Sequence, residues 1–323
     1  MIKNIHNKYI KIWLVICLMA CVQFAKAQTE EDAIMIPKNY ICPAFMYSYG
    51  SWDHYWEGTF KRNNLNLGTV SNKMYTGAIV YGISDKLNAI VSAPYITTNA
   101  SAGTLQGQKG IQDLRGTIKY LPYEGIIGKG VFSVYAIAGY SLPLSNYVAD
   151  FLPVAIGLRS KTASLRGMVD YQVKNFFVTA SGQYNLRSDI TIDRSSYYTT
   201  MLIYSNRVYM PNVAVYNGRA GYRSAKFRAE FVAENSTTLG GFDIRKNDSP
   251  FPSNRMNMTS LGAAFKYSFN SGLEFSAGGS HVIAGRNVGQ TNMFSGGIDY
   301  LFSLSSKKKT NKAVVKEVNK KQS

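Results

Sequence analysis

The stretch Asp113-Leu114-Arg115-Gly116-Thr117-Ile118-Lys119-Tyr120 sorts into two sets by parity: Leu114, Ile118 and Tyr120 with the small Gly116, and Asp113, Arg115, Thr117 and Lys119. Successive side chains of a β-strand point to opposite faces, so the segment predicts a strand with one greasy and one ionised face. Three more stretches repeat the pattern. Phe227, Ala229, Phe231 and Ala233 interleave with Arg228, Glu230 and Glu234; Leu165, Val169 and Tyr171 alternate with Arg166, Met168, Asp170 and Gln172. Phe294, Ile298, Tyr300 and Phe302 alternate with Ser295, Gly297 and Asp299. About a dozen such segments succeed one another, separated alternately by tight turns and longer polar loops, as in a closed transmembrane barrel. A water-soluble sandwich alternates too, so location has to be read elsewhere in the chain.

The first 27 residues read as a secretory signal peptide. Lys3, Lys8 and Lys11 form its charged region, Ile12 to Phe24 its apolar stretch, and Ala25-Lys26-Ala27 a small-x-small cleavage site before Gln28. Leu18-Met19-Ala20-Cys21 is a rival, lipoprotein-type signal, but Val22, Gln23 and Phe24 after the cysteine do not resemble a polar tether. Cleavage after Ala27 removes Cys17 and Cys21 and leaves Cys42, which has no partner for an internal disulfide. The remaining chain contains no run of about 18 apolar residues, so no helical span is expected. Export, strand alternation and the absence of a helical span together point to the outer membrane of a Gram-negative cell, where an all-β, up-and-down antiparallel barrel leaves no edge facing hydrocarbon. The 23 tyrosines suit membrane interfaces, where ring and hydroxyl meet different solvents.

The formal charge of +17 is concentrated at the ends. Four lysines of the leader, and seven of residues 303–323 set against Glu317, account for ten of it, leaving +7 for the body. That balance, with no helix-turn-helix, zinc-finger spacing or aromatic-basic RNA motif, argues against a nucleic-acid partner.

Short turns are expected near Ser84-Asp85-Lys86, Tyr123-Glu124-Gly125, Lys174-Asn175, Arg223-Ser224-Ala225-Lys226 and Asn270-Ser271-Gly272. Longer polar stretches lie between them, at 99–110, 144–155, 189–206 and 240–254. In outer-membrane barrels the short turns face the periplasm, so about twelve strands would put both chain ends there. The barrel is expected over 53–302. Its last strand closes on Tyr300-Leu301-Phe302, and a terminal aromatic resembles the signal read by the barrel-assembly machinery. Residues 303–323 form a Lys-rich tail, read as a solvated periplasmic extension or, more sharply, as a contact to peptidoglycan or anionic headgroups. Residues 28–52 could be a disordered leader, an extra strand or a lumen plug. Met35, Ile36, Tyr40, Ile41, Phe45 and Tyr47 favour packing against or inside the barrel.

Catalytic signals are weak. His54 and His281 are the only histidines after the leader, and neither is followed two residues on by serine, the pair used by outer-membrane phospholipase barrels. No His or Cys cluster has metal-ligand spacing, and no cofactor is implied. The charged residues opposite the greasy face are Arg115, Lys119, Arg166, Asp170, Arg219, Arg223, Arg228, Glu230, Glu234, Lys266, Glu274 and Asp299. An ionised group facing lipid costs roughly 2–4 kcal/mol at the midplane, so these are expected to face the lumen. There they either pair across strands and fill it, or line a solute path and set its selectivity.

Tyr81-Gly82-Ile83-Ser84-Asp85-Lys86-Leu87, then Ala93-Pro94-Tyr95, then Gly110-Ile111-Gln112-Asp113-Leu114 with Lys119-Tyr120, resembles the outer-membrane barrel family named for the MetA pathway of phenol degradation. That family is similar to the long-chain fatty-acid and aromatic-hydrocarbon channels. Gln112 stands where the family pattern has a second glycine, and Pro94 is expected near a strand end. The resemblance implies an outer-membrane barrel, surrounded by lipid and lipopolysaccharide, that passes or binds small hydrophobic or aromatic solutes. A closed structural or interaction barrel and a lipid-modifying enzyme are the alternatives.

Overall fold

The computed structural model describes residues 29–246 and 248–304. The expected leader, 1–27, and all but the start of the Lys-rich tail lie outside the described residues. Twelve long strands follow in chain order: β1 (Tyr40–Trp52), β2 (Val70–Ser84), β3 (Leu87–Ala100), β4 (Asp113–Ile127), β5 (Gly130–Pro143) and β6 (Thr162–Val173), then β7 (Phe176–Arg187), β8 (Val213–Arg223), β9 (Phe227–Thr238), β10 (Asn257–Ser268), β11 (Leu273–Arg286) and β12 (Asn292–Tyr300). Each pairs antiparallel with its neighbours in sequence, and β12 returns to β1 from Ala44↔Asp299 to Ser51↔Asn292. The sheet therefore closes, leaving no edge to lipid. No helix of the described residues is long and apolar enough to cross a membrane.

Three sequence expectations are corrected. The barrel begins at Tyr40 rather than after residue 52: β1 is ordinary sheet, paired along its length with β2 and β12, and only the residues before it leave the wall. His54–Glu57 and Phe60–Asn63 instead form a hairpin in the first long loop. The β4–β5 turn lies at Gly128-Lys129, not Tyr123-Glu124-Gly125. Gly128 supplies the positive φ of 61° that the turn needs, while a register shift after Tyr120 lets the strand run on to Ile127. Pro94 is interior to β3, not near its end. It sits between the stretch of β3 paired with β4 and the stretch paired with Lys109–Ile111, so no ladder bond is lost, and its carbonyl accepts from Gln112 N at 2.9 Å.

The outer surface is apolar where lipid would lie, with Phe231 77% exposed and Leu165, Phe294, Val178 and Ile79 each at least half exposed. Near the short turns, aromatic rings touch one another around the rim. Phe227 lies between Tyr222 and Phe265, at 6.2 and 4.6 Å, and Phe269 between Tyr267 and Phe275, at 4.9 and 5.7 Å. Such a girdle marks a bilayer interface. At the opposite end, loops 144–161, 188–212 and 239–256 share an apolar cluster that includes Ala149, Ile190, Val208, Met210 and Phe251.

Candidate functional site

The lumen is the candidate site. All twelve charged positions singled out in the sequence point into it: Arg115 and Lys119 from β4, Arg166 and Asp170 from β6, Arg219 and Arg223 from β8, Arg228, Glu230 and Glu234 from β9, and Lys266, Glu274 and Asp299 from β10, β11 and β12. The strand period puts them there: on β6, Leu165, Gly167, Val169 and Tyr171 are exposed outside while Arg166, Met168 and Asp170 are buried inside.

The structure brings these residues together in three groups. Asp170 takes Arg223 at 3.3 Å and the hydroxyl of Thr179 at 2.5 Å, and the Arg223 guanidinium also lies 3.9 Å from the centre of the Phe177 ring. Lys266 bridges Asp299 at 2.8 Å and Glu274 at 3.4 Å. These two groups fill lumen space with paired charge. Opposite charges at such depth hold only because each is matched, since an unpaired buried ion is costly.

The third group is bound by three acids that sequence reasoning did not name, Glu30, Glu31 and Asp32, in the segment expected to pack against or inside the barrel. Residues 29–36 run inside the barrel, and their three carboxylates meet five cations of the wall. Glu30 takes Arg115 at 2.9 Å. Glu31 takes Arg219 at 2.5 Å and Arg166 at 3.6 Å. Asp32 takes Lys119 and Arg228, both at 3.3 Å. Lys119 is fully buried, and its ammonium donates to the carbonyls of Thr29 at 3.0 Å, Ile34 at 2.9 Å and Asp32. Tyr135 Oη donates to the Ala33 carbonyl at 3.0 Å.

Below the acids the segment turns apolar. Ala33 and Met35 pack on Leu121, Tyr135, Ile137 and Met168; Ile36 packs on Cys42, Val80, Ile90 and Leu301. The chain then leaves the lumen against β2, where Asn39 N donates to Gly82 O at 2.8 Å and Lys38 N to Asp85 Oδ1 at 2.9 Å. A Cβ at Gly82 would lie 2.1 Å from the Pro37 carbonyl oxygen, so this position requires glycine for close approach. An acidic run, Thr29-Glu30-Glu31-Asp32, beside an inward set richer in cations than in acids was the available sequence signal.

Above the acids, on the long-loop side, lies a polar cavity of about 330 Å³. Its walls include Arg115, Arg166, Arg187, Gln183 and Glu234, and Glu30 and Glu31 form part of its lining. Arg166 Nε donates to Gln183 Oε1 at 2.7 Å, while its Nη1 is buried without a partner. His54 pairs with Asp53, and His281 with Asn292 and Gln290, away from this cavity. Among the described residues no group of three His, Cys, Asp or Glu side chains could hold a metal.

A family model described as "Putative MetA-pathway of phenol degradation" matches residues 67–296, from just before β2 into β12. The chain belongs to that family. Among solved structures, the fold of this phenol-degradation family member matches an outer membrane channel from Pseudomonas putida F1, with a TM-score of 0.67 at 13% identity over 86% of this chain and 100% of that one. The translocator domain of the autotransporter NalP from Neisseria meningitidis gives a TM-score of 0.43 at 12% identity, over 93% and 96% of the two chains. No curated protein matches the chain. The family match spans all of the inward charges of β4 to β11, whereas residues 29–36 and the Asp299 end of β12 lie outside it.

Proposed function

We propose that this protein is a passive outer-membrane conduit for small solutes, held closed in this conformation by residues 29–36. The family's name directs the solute class to aromatic compounds. One observation carries the reading: the segment fills the short-turn half of the lumen through side-chain contacts, without joining the sheet, while a cavity of about 330 Å³ remains above it. An eight-stranded barrel is filled by its own side chains and one of sixteen or more encloses an open channel, so a twelve-stranded barrel suits a conduit with a removable occupant. The same reading has the leader removed after Ala27, Tyr300 and Phe302 recognised by the barrel-assembly machinery, lipid and lipopolysaccharide around the girdle, and the Lys-rich tail in the periplasm.

A second reading, a structural barrel with a closed lumen, is favoured by the Lys266–Glu274–Asp299 and Asp170–Arg223 groups, which occupy the lumen without help from the segment. Planar-bilayer recordings separate the two. The full chain should show small or rare openings, and a variant lacking residues 29–36 should show frequent steps of larger conductance. Uptake of a labelled phenol by cells carrying that variant should exceed uptake by cells carrying the full chain. A segment-deleted barrel that is folded yet silent in both measurements makes the closed structural reading the correct one.

A further inference from the structure

The upper cavity is lined by three arginines, Arg115, Arg166 and Arg187, set against Glu30, Glu31 and Glu234. With the segment in place these six charges balance. Withdrawal of Glu30 and Glu31 leaves a wall carrying two positive charges in excess. Two features show that the arginines are not spent on structure alone. Arg166 is 4% exposed, yet its Nη1 has no partner, and its contact to Glu31 is the loosest of the segment's ion pairs at 3.6 Å. The guanidinium of Arg187 makes no ion pair among the described residues, although it lies on the cavity wall.

The strand register sets these groups at successive depths. Arg187 ends β7 beside the long loops, directly across from Thr162; Gln183, four residues deeper, faces Arg166. Four residues of strand span about 13 Å, so an anion entering from the loop side meets Arg187 first and Arg166 next. Arg166 and Arg115 already hold carboxylates, those of Glu31 and Glu30, whose side chains remain 35% and 27% exposed to the cavity. The site is thus shaped and charged for the carboxylate group, and its present occupants are tethered copies of it. A free carboxylate that displaces Glu31 can also approach the Arg166 guanidinium more closely than the 3.6 Å at which the tethered Glu31 stands.

We infer that the cavity is a binding site for small organic carboxylates, entered past Arg187 and seated on Arg166 and Arg115 in competition with Glu30 and Glu31. This inference rests on the conduit reading for its purpose, and it adds a chemical requirement to the solute, a carboxylate, whether the carbon frame is aromatic or aliphatic. Linkage makes the competition reciprocal: a bound carboxylate favours withdrawal of the segment, and withdrawal favours binding. A cavity of about 330 Å³ lies at the small end of ligand sites, which limits the solute to a few carbons or a single ring.

The test is calorimetric titration of the full chain in non-ionic detergent with succinate, which stays out of micelles, and with succinamide as its uncharged counterpart. Succinate should bind saturably and succinamide should not. The E30Q/E31Q double variant should bind succinate about tenfold more tightly, and R166Q and R187Q each about tenfold more weakly, the scale of one charge-assisted hydrogen bond. Arg187 ends its strand, so R187Q tests the site even where R166Q disturbs folding. Equal binding of succinamide, or no saturable succinate binding by both the native chain and E30Q/E31Q, overturns the inference. Conductance of the segment-deleted barrel is read separately: a barrel that conducts without binding succinate loses this site and keeps the conduit reading, and one that binds succinate without conducting does the reverse.

Discussion

Replacing Lys119 by Met should release residues 29–36 from the lumen. The native ammonium is fully buried and holds the segment at four points: the carbonyls of Thr29, Asp32 and Ile34 and the Asp32 carboxylate. Met fills a similar volume, so the wall of β4 stays packed, but three carbonyls lose their donor and the Asp32 carboxylate keeps Arg228 as its remaining ion-pair partner, beside the backbone N–H groups of Thr29 and Ile34. Removing one partner of a buried ion pair costs about 3–5 kcal/mol, which raises the undocked fraction by about two to three and a half powers of ten. Ala33, 7% exposed beneath Tyr135, is the reporter position. In a background with Cys42 replaced by Ser, an A33C thiol should react with a water-soluble maleimide in proportion to that fraction, so K119M should speed labelling at least a hundredfold. Heat-modified electrophoretic mobility reports whether the barrel is still closed. Labelling at an unchanged rate in a folded K119M barrel refutes the assignment of Lys119 as the anchor, and with it the view that charge holds the segment in place.

Other outcomes follow from the same structure. G82A should speed A33C labelling without altering any charge, because a Cβ there meets the Pro37 carbonyl oxygen at 2.1 Å; unchanged labelling would show that the segment leaves the lumen by another route. F231R, on the outer face of β9, should lower barrel stability in lipid by about 2–4 kcal/mol in urea titrations, since the native ring is 77% exposed where hydrocarbon would lie; a neutral effect would place this face in water. In the loop 239–256, hydrogen bonds from Arg286, at 2.8 and 2.6 Å, hold the Asp243 carboxyl down to about 2 from 3.8. A depressed carboxylate contributes stability above its unfolded value and loses it as pH falls through its folded one. Hydrogen-exchange protection of this loop should therefore be flat from neutral pH to about 4 and decline between about 4 and 2, with D243N less protected than the native chain at neutral pH and lacking that decline.

Much of the fold was legible because its determinants are local. The side-chain period of two assigns every residue of a strand to lipid or lumen, and the charge of Arg166, Asp170 or Glu230 decides which face is which. The turn at Lys174-Asn175 was readable from residue type, and Lys174 does adopt a positive φ of 52°. The turn after β4 was not, because Tyr123-Glu124-Gly125 has turn-forming residues while the bulge that carries the strand past them depends on its pairing with β5. β1 was left outside the expected 53–302 barrel, an extra strand being only one of three readings of residues 28–52, for a related reason. Its alternation is blurred by Cys42, Pro43 and Gly50, and it gains strand character from β2 and β12, the latter about 250 residues away in sequence.

The candidate site divides in the same way. The sequence by itself determined that this chain alternates between lipid and water, that its ionised groups face inward and that cations outnumber acids there, since each of these rests on side-chain chemistry and a two-residue repeat. Only the tertiary structure decided which charges meet. Glu30 and Arg115 are 85 residues apart, Asp32 and Arg228 196 apart, and closure of the sheet around the segment is what sets them within ion-pair distance. Pairing of that kind depends on where a closed barrel places its strands around the lumen, and no local pattern encodes it.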